Sequence, residues 1–536
     1  MKFINKPILF SAVAAVLLSS CGGSSEILST PISNIDNTPI KEQELTEYEK
    51  QNWGHLDLVK DTIPGMSVNK AYSEIIKDKT GKKIIVAVID SGIDIGHEDL
   101  DDVLWTNEDE IPGNGIDDDK NGYVDDIHGW NFLGDTYDEQ LEYVRVVALG
   151  DKNDPQYARA VEALEKEKAS VAPKKQRYEQ IYATLNAADE AFTKHFGKED
   201  YTNEEVKNLE TTDEALLQYK ALAEQMNGFG LPSIQKGQET LKDELTKLAD
   251  SYSKGLNPEF SYRTTGDNPN DFNDKPGYGN ANVMPSVKSE AHGTHVAGII
   301  LAERNNGKGA NGVANNAVLM SIRVVPNGDE YDKDVAKGIR YAVDNGANII
   351  NGSFGKSFSI QSDWVRDAIK YASDNNVIFV HAAGNSGEDV DVEPNFPDDN
   401  VNFVEVSNTY IRVGALAPKY GSSVVAGFSN YGKKNVDVFA PGAEVYSSTP
   451  ENEYSTFGGT SMAAPAVAGV AALVWSYYPK LTAAQVKQVI LSSGIPVTTS
   501  VVVGGNPEDV RPFQDLTKSG KMVNAYNALI MASKMK

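Results

Sequence analysis

Lys82-Lys83-Ile84-Ile85-Val86-Ala87-Val88-Ile89-Asp90 is a β-branched, apolar run that stops on a carboxylate and is followed by Ser91-Gly92. A run with no polar face reads as a strand buried on both sides, the kind that sits inside a parallel sheet. Open α/β sheets hold their sites at the carboxyl ends of the strands, where Asp90 falls. Downstream the same texture recurs. Strand-like Ala317–Ile322, Ala347–Asn351 and Val377–Ala383 alternate with helix-like His292–Ala302, Asp334–Asn345 and Ser362–Asn375. Strands alternating with helices imply βαβ units and a mostly parallel sheet between helical layers.

The chain has 536 residues, too long for one small core, so one large domain with additions is expected. Its formal net charge of −26 argues against nucleic acid as a partner, because phosphate binding needs clustered Lys and Arg. The same acidity supplies carboxylates for hard cations.

Cys21 is the only cysteine, so no disulfide framework is possible. It closes a short export signal over 1–20, with Lys2 and Lys6 ahead of an apolar stretch from Ile8 to Leu18. Leu18-Ser19-Ser20-Cys21 resembles the lipobox of bacterial lipoproteins. That likeness implies lipidation of Cys21 and an exported lipoprotein at the outer membrane or cell surface. Residues 21–52 read as a polar tether.

Residues 136–260 differ from their surroundings. Ala, Glu, Lys, Gln and Leu dominate, Thr202/Glu205 and Thr211/Glu214 look like capping boxes, and Leu216, Tyr219, Ala223 and Met226 share one helical face. Three to five amphipathic helices are expected here. They form an inserted α-helical subdomain within a globular domain made of 53–135 and 261–536.

Three segments place a reactive side chain beside glycine at the end of an element: Asp90-Ser91-Gly92, His292-Gly293-Thr294-His295 and Gly459-Thr460-Ser461. A serine hydroxyl needs a base, and an imidazole base needs a carboxylate to fix its tautomer. The helical run after Ser461 aims its N-terminal N–H groups toward the position of a developing oxyanion.

With Val88 through Ile93, His292 through Gly298 and Gly459 through Pro465, the chain resembles the subtilisin-like serine peptidases over roughly 53–134 and 262–500. The resemblance implies a three-layer α/β fold and a serine endopeptidase acting on protein or peptide substrates. Ser461 would be its nucleophile, His292 its general base and acid, and Asp90 its orienting carboxylate; His295 would be structural.

Ala382-Ala383-Gly384-Asn385 implies an oxyanion donor at Asn385. Removing such a donor costs about 2.7–4 kcal/mol in kcat, a figure measured in subtilisin itself. Ser353, Phe354 and Gly355 would form one wall of the pocket for the residue before the scissile bond, and Ala382, Ala383 and Gly384 the facing wall. Neither wall carries charge, so an apolar or broad preference is expected; the pocket floor falls somewhere in 386–410.

Asp117, Asp119 and Asn121 followed by Gly122 match the first half of an EF-hand loop, with Tyr123 offering its carbonyl. Position twelve is His128 rather than Glu, so Asp125 or Asp126 would have to close a structural calcium site. Asp267, Asp271 and Asp274 read as a solvated acidic loop.

Two features depart from the family pattern. Only 31 residues separate Cys21 from Trp53, fewer than the roughly 40 a small prodomain needs unaided. Asp90 and His292 lie 202 positions apart, and the insertion between them could cover the cleft as a lid or serve as a partner module. A monomer is expected. A catalytically silent surface-binding lipoprotein is the alternative reading.

Overall fold

The computed structural model describes residues 29–33, 35, 38–228 and 231–535. Cys21 and the signal segment 1–20 lie outside the described residues. The central sheet has nine strands: β1 (Ile84–Asp90), β2 (Gly129–Asn131), β3 (Ala317–Arg323), β4 (Ile349–Gly352), β5 (Ile378–Ala382), β6 (Tyr410–Leu416), β7 (Val438–Pro441), β8 (Ile495–Pro496) and β9 (Lys521–Met522). Their order is β8-β9-β7-β6-β5-β4-β1-β3-β2. All neighbours are parallel except β8, which runs antiparallel to β9.

Alternate side chains of β1 serve two cores. Val86 and Val88 join the core on one face, while Ala87 and Ile89 join the core on the other. This is why the run carries no polar face.

The longer helices are α1 (Glu142–Leu149), α2 (Tyr157–Phe196), α3 (Glu214–Gly228), α4 (Ile234–Asp250), α5 (His292–Leu301), α6 (Asp332–Asp344), α7 (Ser362–Asp374), α8 (Thr460–Tyr477), α9 (Ala483–Ser493) and α10 (Ala525–Ser533). Helices α5, α8, α9 and α10 cover the Val86/Val88 face, and α6 and α7 cover the other. The sheet thus lies between two helical layers. α8 is apolar all round because it is buried all round, and it is long enough by composition to cross a membrane although its place is the core.

Connectivity places the site. The chain passes from β1 to β3 on one side, then crosses back over β1 to β4 on the other. Connections therefore diverge on either side of the carboxyl end of β1, which opens a crevice there.

The inserted segment forms α1 to α4 with a short helix at Asn203–Lys207. Its entry and exit are tied together: Thr264 N–H donates to Thr136 Oγ1 at 3.0 Å and Leu141 N–H to Gly255 O at 3.1 Å. At 40 residues α2 is about 60 Å long, and its far end builds a separate small core from Leu185, Phe192, Tyr201, Val206 and Ile234. Thr202 and Glu205 form the expected capping box. The Thr211/Glu214 box does not form; Asp213 caps that helix instead, accepting from Ala215 N–H at 2.9 Å, because it stands directly ahead of Glu214, the first helical residue.

Two further expectations are corrected. The described part of the 21–52 tether lies against the domain. Ile32 and Ile35 are buried, Ile32 N–H donates to Asn527 Oδ1 at 2.7 Å, and Asn527 Nδ2 returns a bond to Ile32 O at 3.0 Å. Ile32 thus docks on α10, and Ile35 joins the same core. The acidic loop at 267–274 is not solvated throughout. Asp267 is buried between Arg263 (2.7 Å) and Lys333 (2.7 Å), and Asp274 also pairs with Lys333. Although burial opposes its charge, these cations hold the Asp267 carboxyl down at about 2.

Candidate active site

Asp90 ends β1 with its carboxylate fully buried. Oδ1 accepts from Ser91 N–H at 2.8 Å and from His292 Nδ1 at 2.7 Å. Among the described residues Oδ2 is buried without a hydrogen-bond partner, so much of the negative charge is left for the imidazole to answer.

His292 is the first residue of α5, which lies beside β1. The next residue must be glycine: a Cβ at Gly293 would stand 2.3 Å from Gly92 O and push the imidazole off its carboxylate. Burial disfavours the imidazolium, but the charge and hydrogen bond of Asp90 outweigh it, and the pKa of His292 is raised. The base form is therefore lost as pH falls through a value above the ordinary histidine range.

His295 behaves differently. It is buried, stacked on Phe457 at 4.3 Å and bonded to Ser455 O at 3.1 Å, and burial drives its pKa to about 3. It stays neutral and braces α5 against the Glu453–Phe457 strand.

Ser461 stands in the first turn of α8. Its Oγ donates to Ser353 O at 3.0 Å, and Ser353 Oγ donates back to Ser461 O at 2.9 Å. Ser461 Oγ is thus held on Ser353 O, and among the described residues it has no hydrogen bond to His292; such bonds often tighten only in the complex with substrate.

Asn385 follows β5. Its Oδ1 accepts from Thr460 N–H at 2.8 Å and from Thr460 Oγ1 at 3.0 Å, and Thr460 Oγ1 accepts from Gly384 N–H at 3.0 Å. With the oxygen fixed in this way, Nδ2 is the face of the amide presented to the cleft beside Ser461. A neutral donor so held stabilises charge that appears only in the transition state.

The two segments expected to be walls end neighbouring strands: Ser353-Phe354-Gly355 follows β4, and Ala382-Ala383-Gly384 closes β5. The sequence did not reveal what lies between them. A Cβ at Gly355 would come 3.7 Å from Asn395 Oδ1, and one at Gly384 would come 3.0 Å from Asn395 Nδ2. The Asn395 amide therefore closes the floor of the slot. No pattern marks it; only the fold of the 386–410 loop brings it there. Behind the wall, His381 bonds Phe354 O at 2.8 Å and the Tyr410 hydroxyl at 2.8 Å, and burial lowers its pKa to about 3. The slot is walled and floored by uncharged groups.

The acidic loop converges only in part. Carboxylate oxygens of Asp119, Asp126 and the unforeseen Glu110 lie within 4.8 Å of one another. Asp117 accepts from Asn121 N–H (3.1 Å) and Gly122 N–H (3.0 Å), and Asn121 Nδ2 donates to Asp126 at 3.1 Å. Asp125 is corrected: its carboxylate turns to Asn114 N–H (3.1 Å) and Gly115 N–H (2.9 Å), because the positive φ of Asp125 aims it at that neighbouring turn. Burial, and the charge of Asp119, raise the pKa of Asp126 despite bonds from Tyr341, Asn107 and Asn121. Tyr123 packs edge-on against Trp130 and Tyr341, which ties the loop to the domain.

With this geometry in hand, comparison with known proteins decides the family. The sequence model of the subtilase family matches residues 81–510. The chain belongs to the subtilase family. It is 40% identical over 186 residues to a thermophilic serine proteinase of Bacillus sp. (strain AK1), covering 34% of this chain and 42% of that one. It is 36% identical over 220 residues to subtilisin DY of Bacillus licheniformis, covering 41% and 76%. It is 39% identical over 186 residues to thermitase of Thermoactinomyces vulgaris, covering 34% and 61%. The chain thus spans less than two thirds of two of these three relatives.

The Asn385–Thr460 lock makes a prediction. Asn385→Ala should lower kcat about 10²–10³-fold with KM little changed. Thr460→Val, which removes one of the two bonds to Oδ1, should give a smaller loss in the same parameter. Steady-state kinetics on one peptide would check both, and a loss confined to KM in either variant would contradict the assignment.

Proposed function

We propose that this protein is a serine endopeptidase that hydrolyses peptide bonds through an acyl-enzyme on Ser461. The observation that carries the reading is the 2.7 Å bond from a raised-pKa His292 to a buried Asp90, at the mouth of a crevice that also holds Ser461 and the fixed Asn385 amide. Ser461 attacks the carbonyl while His292 takes its proton. Asn385 Nδ2 and the first-turn N–H of α8 receive the oxyanion. His292 then protonates the leaving amine, and water repeats the sequence to free the acyl group. A fluorophosphonate probe should label the protein stoichiometrically, and Ser461→Ala should abolish labelling. Correctly folded protein that fails to label would instead be the silent binding lipoprotein.

Calcium is proposed as a structural ion. Glu110, Asp119 and Asp126 bring carboxylate oxygens suited to a hard cation within 4.8 Å of one another, with Glu110 in the closing role, and Asp117 and Asn121 stand in the same loop as further oxygen donors. Asp125 would steady the adjoining turn. The bound ion would offset the mutual repulsion of these carboxylates and pin the loop ahead of β2. At free calcium a hundredfold above Kd the stabilisation is about 2.7 kcal/mol. Chelation should therefore lower Tm in the native protein and leave Asp119→Ala unmoved; equal sensitivity in both would contradict the assignment.

The chain is further proposed to be a monomeric exported lipoprotein, held at the outer membrane or cell surface through Cys21. The support is the position of its single cysteine directly after an export signal. Cells fed a radiolabelled fatty acid should incorporate it into the native protein but not into Cys21→Ala; equal incorporation would rule the anchor out.

A further inference from the structure

The insertion meets the peptidase body on the two loops that flank the crevice. β4 leads into Ser353-Phe354-Gly355 beside Ser461, and β3 leads into Asn327-Gly328 on the other side of β1. Among the described residues, no hydrogen bond reaches the backbone N–H of Gly328 or of Gly355. The Asn327–Asp329 segment is already paired with Tyr137, Glu139 and Gln140, which leaves the Gly328 N–H as its donor for an extended peptide, and the Gly355 N–H is the matching donor on the β4 side.

One step further out, both edges close, and the root of the insertion closes them. Arg145 Nη2 donates to Asp329 O at 2.8 Å and to Glu330 O at 3.2 Å. Arg159 Nη2 donates to Ser357 O at 2.7 Å. Gln156 Nε2 donates to Ser359 O at 2.9 Å, and Glu142 Oε1 accepts from Ile360 N–H at 3.0 Å. These are the main-chain groups a longer peptide would need.

The two loops also join each other. Lys356 Nζ donates to Glu330 O at 2.6 Å and pairs with Asp332 at 3.0 Å, while Glu142 pairs with Arg145 at 2.7 Å. All four side chains are buried. Opening this end would strand buried charges without partners, so it resists displacement by substrate.

Resting on the serine-peptidase reading above, we propose that the root of the insertion is a stop at the acyl end of the cleft. It limits strand-paired substrate to the residues facing Ser353 to Gly355, about three on the N-terminal side of the cut bond by one-to-one pairing. The favoured substrates are peptides cut about three residues from their amino terminus, or chains that turn away from the enzyme at that point. The insertion then acts on substrate length, and it leaves Ser461 uncovered.

The test is a series of fluorogenic peptides with one scissile bond, a fixed leaving side and one to six acyl-side residues, assayed on the full chain. kcat/KM should rise over the first three residues and then gain less than twofold, or fall, from three to six. A further tenfold gain between three and six would overturn the proposal. In the double variant Gln156→Ala/Arg159→Ala, which changes two partly exposed side chains and frees Ser357 O and Ser359 O, kcat/KM should again climb with length past three, by at least fivefold. A plateau that persists in the double variant would overturn the assignment of the stop to the Gln156 and Arg159 contacts of the insertion root. If neither a fluorophosphonate nor any peptide reacts, the fault lies with the serine-peptidase reading rather than with the stop.

Discussion

A carboxylate with no access to water at the end of a central strand governs this molecule. Asp90 is fully buried, and its charge is tolerated because the Ser91 N–H and the His292 ring approach the same oxygen. That demand fixes much else. α5 must begin at His292 and pass close to β1, so Gly293 must lack a side chain. β3 and β4 must flank β1 to bury it, so their following loops become the two banks of the cleft. The small residues of α8 let that helix seat under the sheet and deliver Ser461 to the same crevice.

The insertion follows a different physical logic. Its far end is held by its own apolar core, so little of its packing depends on the peptidase body. Its near end is held by buried polar contacts to both banks, where Lys356, Asp332, Glu142 and Arg145 form ion pairs with one another. Such ionic contacts in a buried setting are poor sources of net stability but costly to break singly. They suit a fixed boundary better than a swinging lid.

Much of this was legible in the sequence, for identifiable reasons. β1 could be read because a strand buried on both faces has no polar positions, and the triad because each member carries glycine and small residues that its close packing requires. Thr202 and Glu205 announced their cap through local chemistry alone. What escaped were features made by distant chain segments. Asn395 reaches the pocket floor only because its loop folds between Gly355 and Gly384. Glu110 joins Asp119 and Asp126 from outside the repeating acidic pattern. Asp267 looked solvated because its partners, Arg263 and Lys333, declare themselves only when α6 packs beside the loop. Ile32 and Ile35 looked like part of a tether because the surface that receives them belongs to the opposite end of the chain.

The central claim is that buried Asp90 sets the state of His292 for attack by Ser461, and the pH dependence of the imidazole tests it most directly. In the native protein, NMR titration of His292 should give a pKa above the ordinary 6.5, with kcat/KM falling on the acid side through the same value. Asp90→Asn removes the charge and keeps the shape. The pKa should then drop below that of the native protein, with burial no longer opposed, and kcat should fall about 10⁴-fold. A His292 pKa that is unchanged by Asp90→Asn would contradict the account.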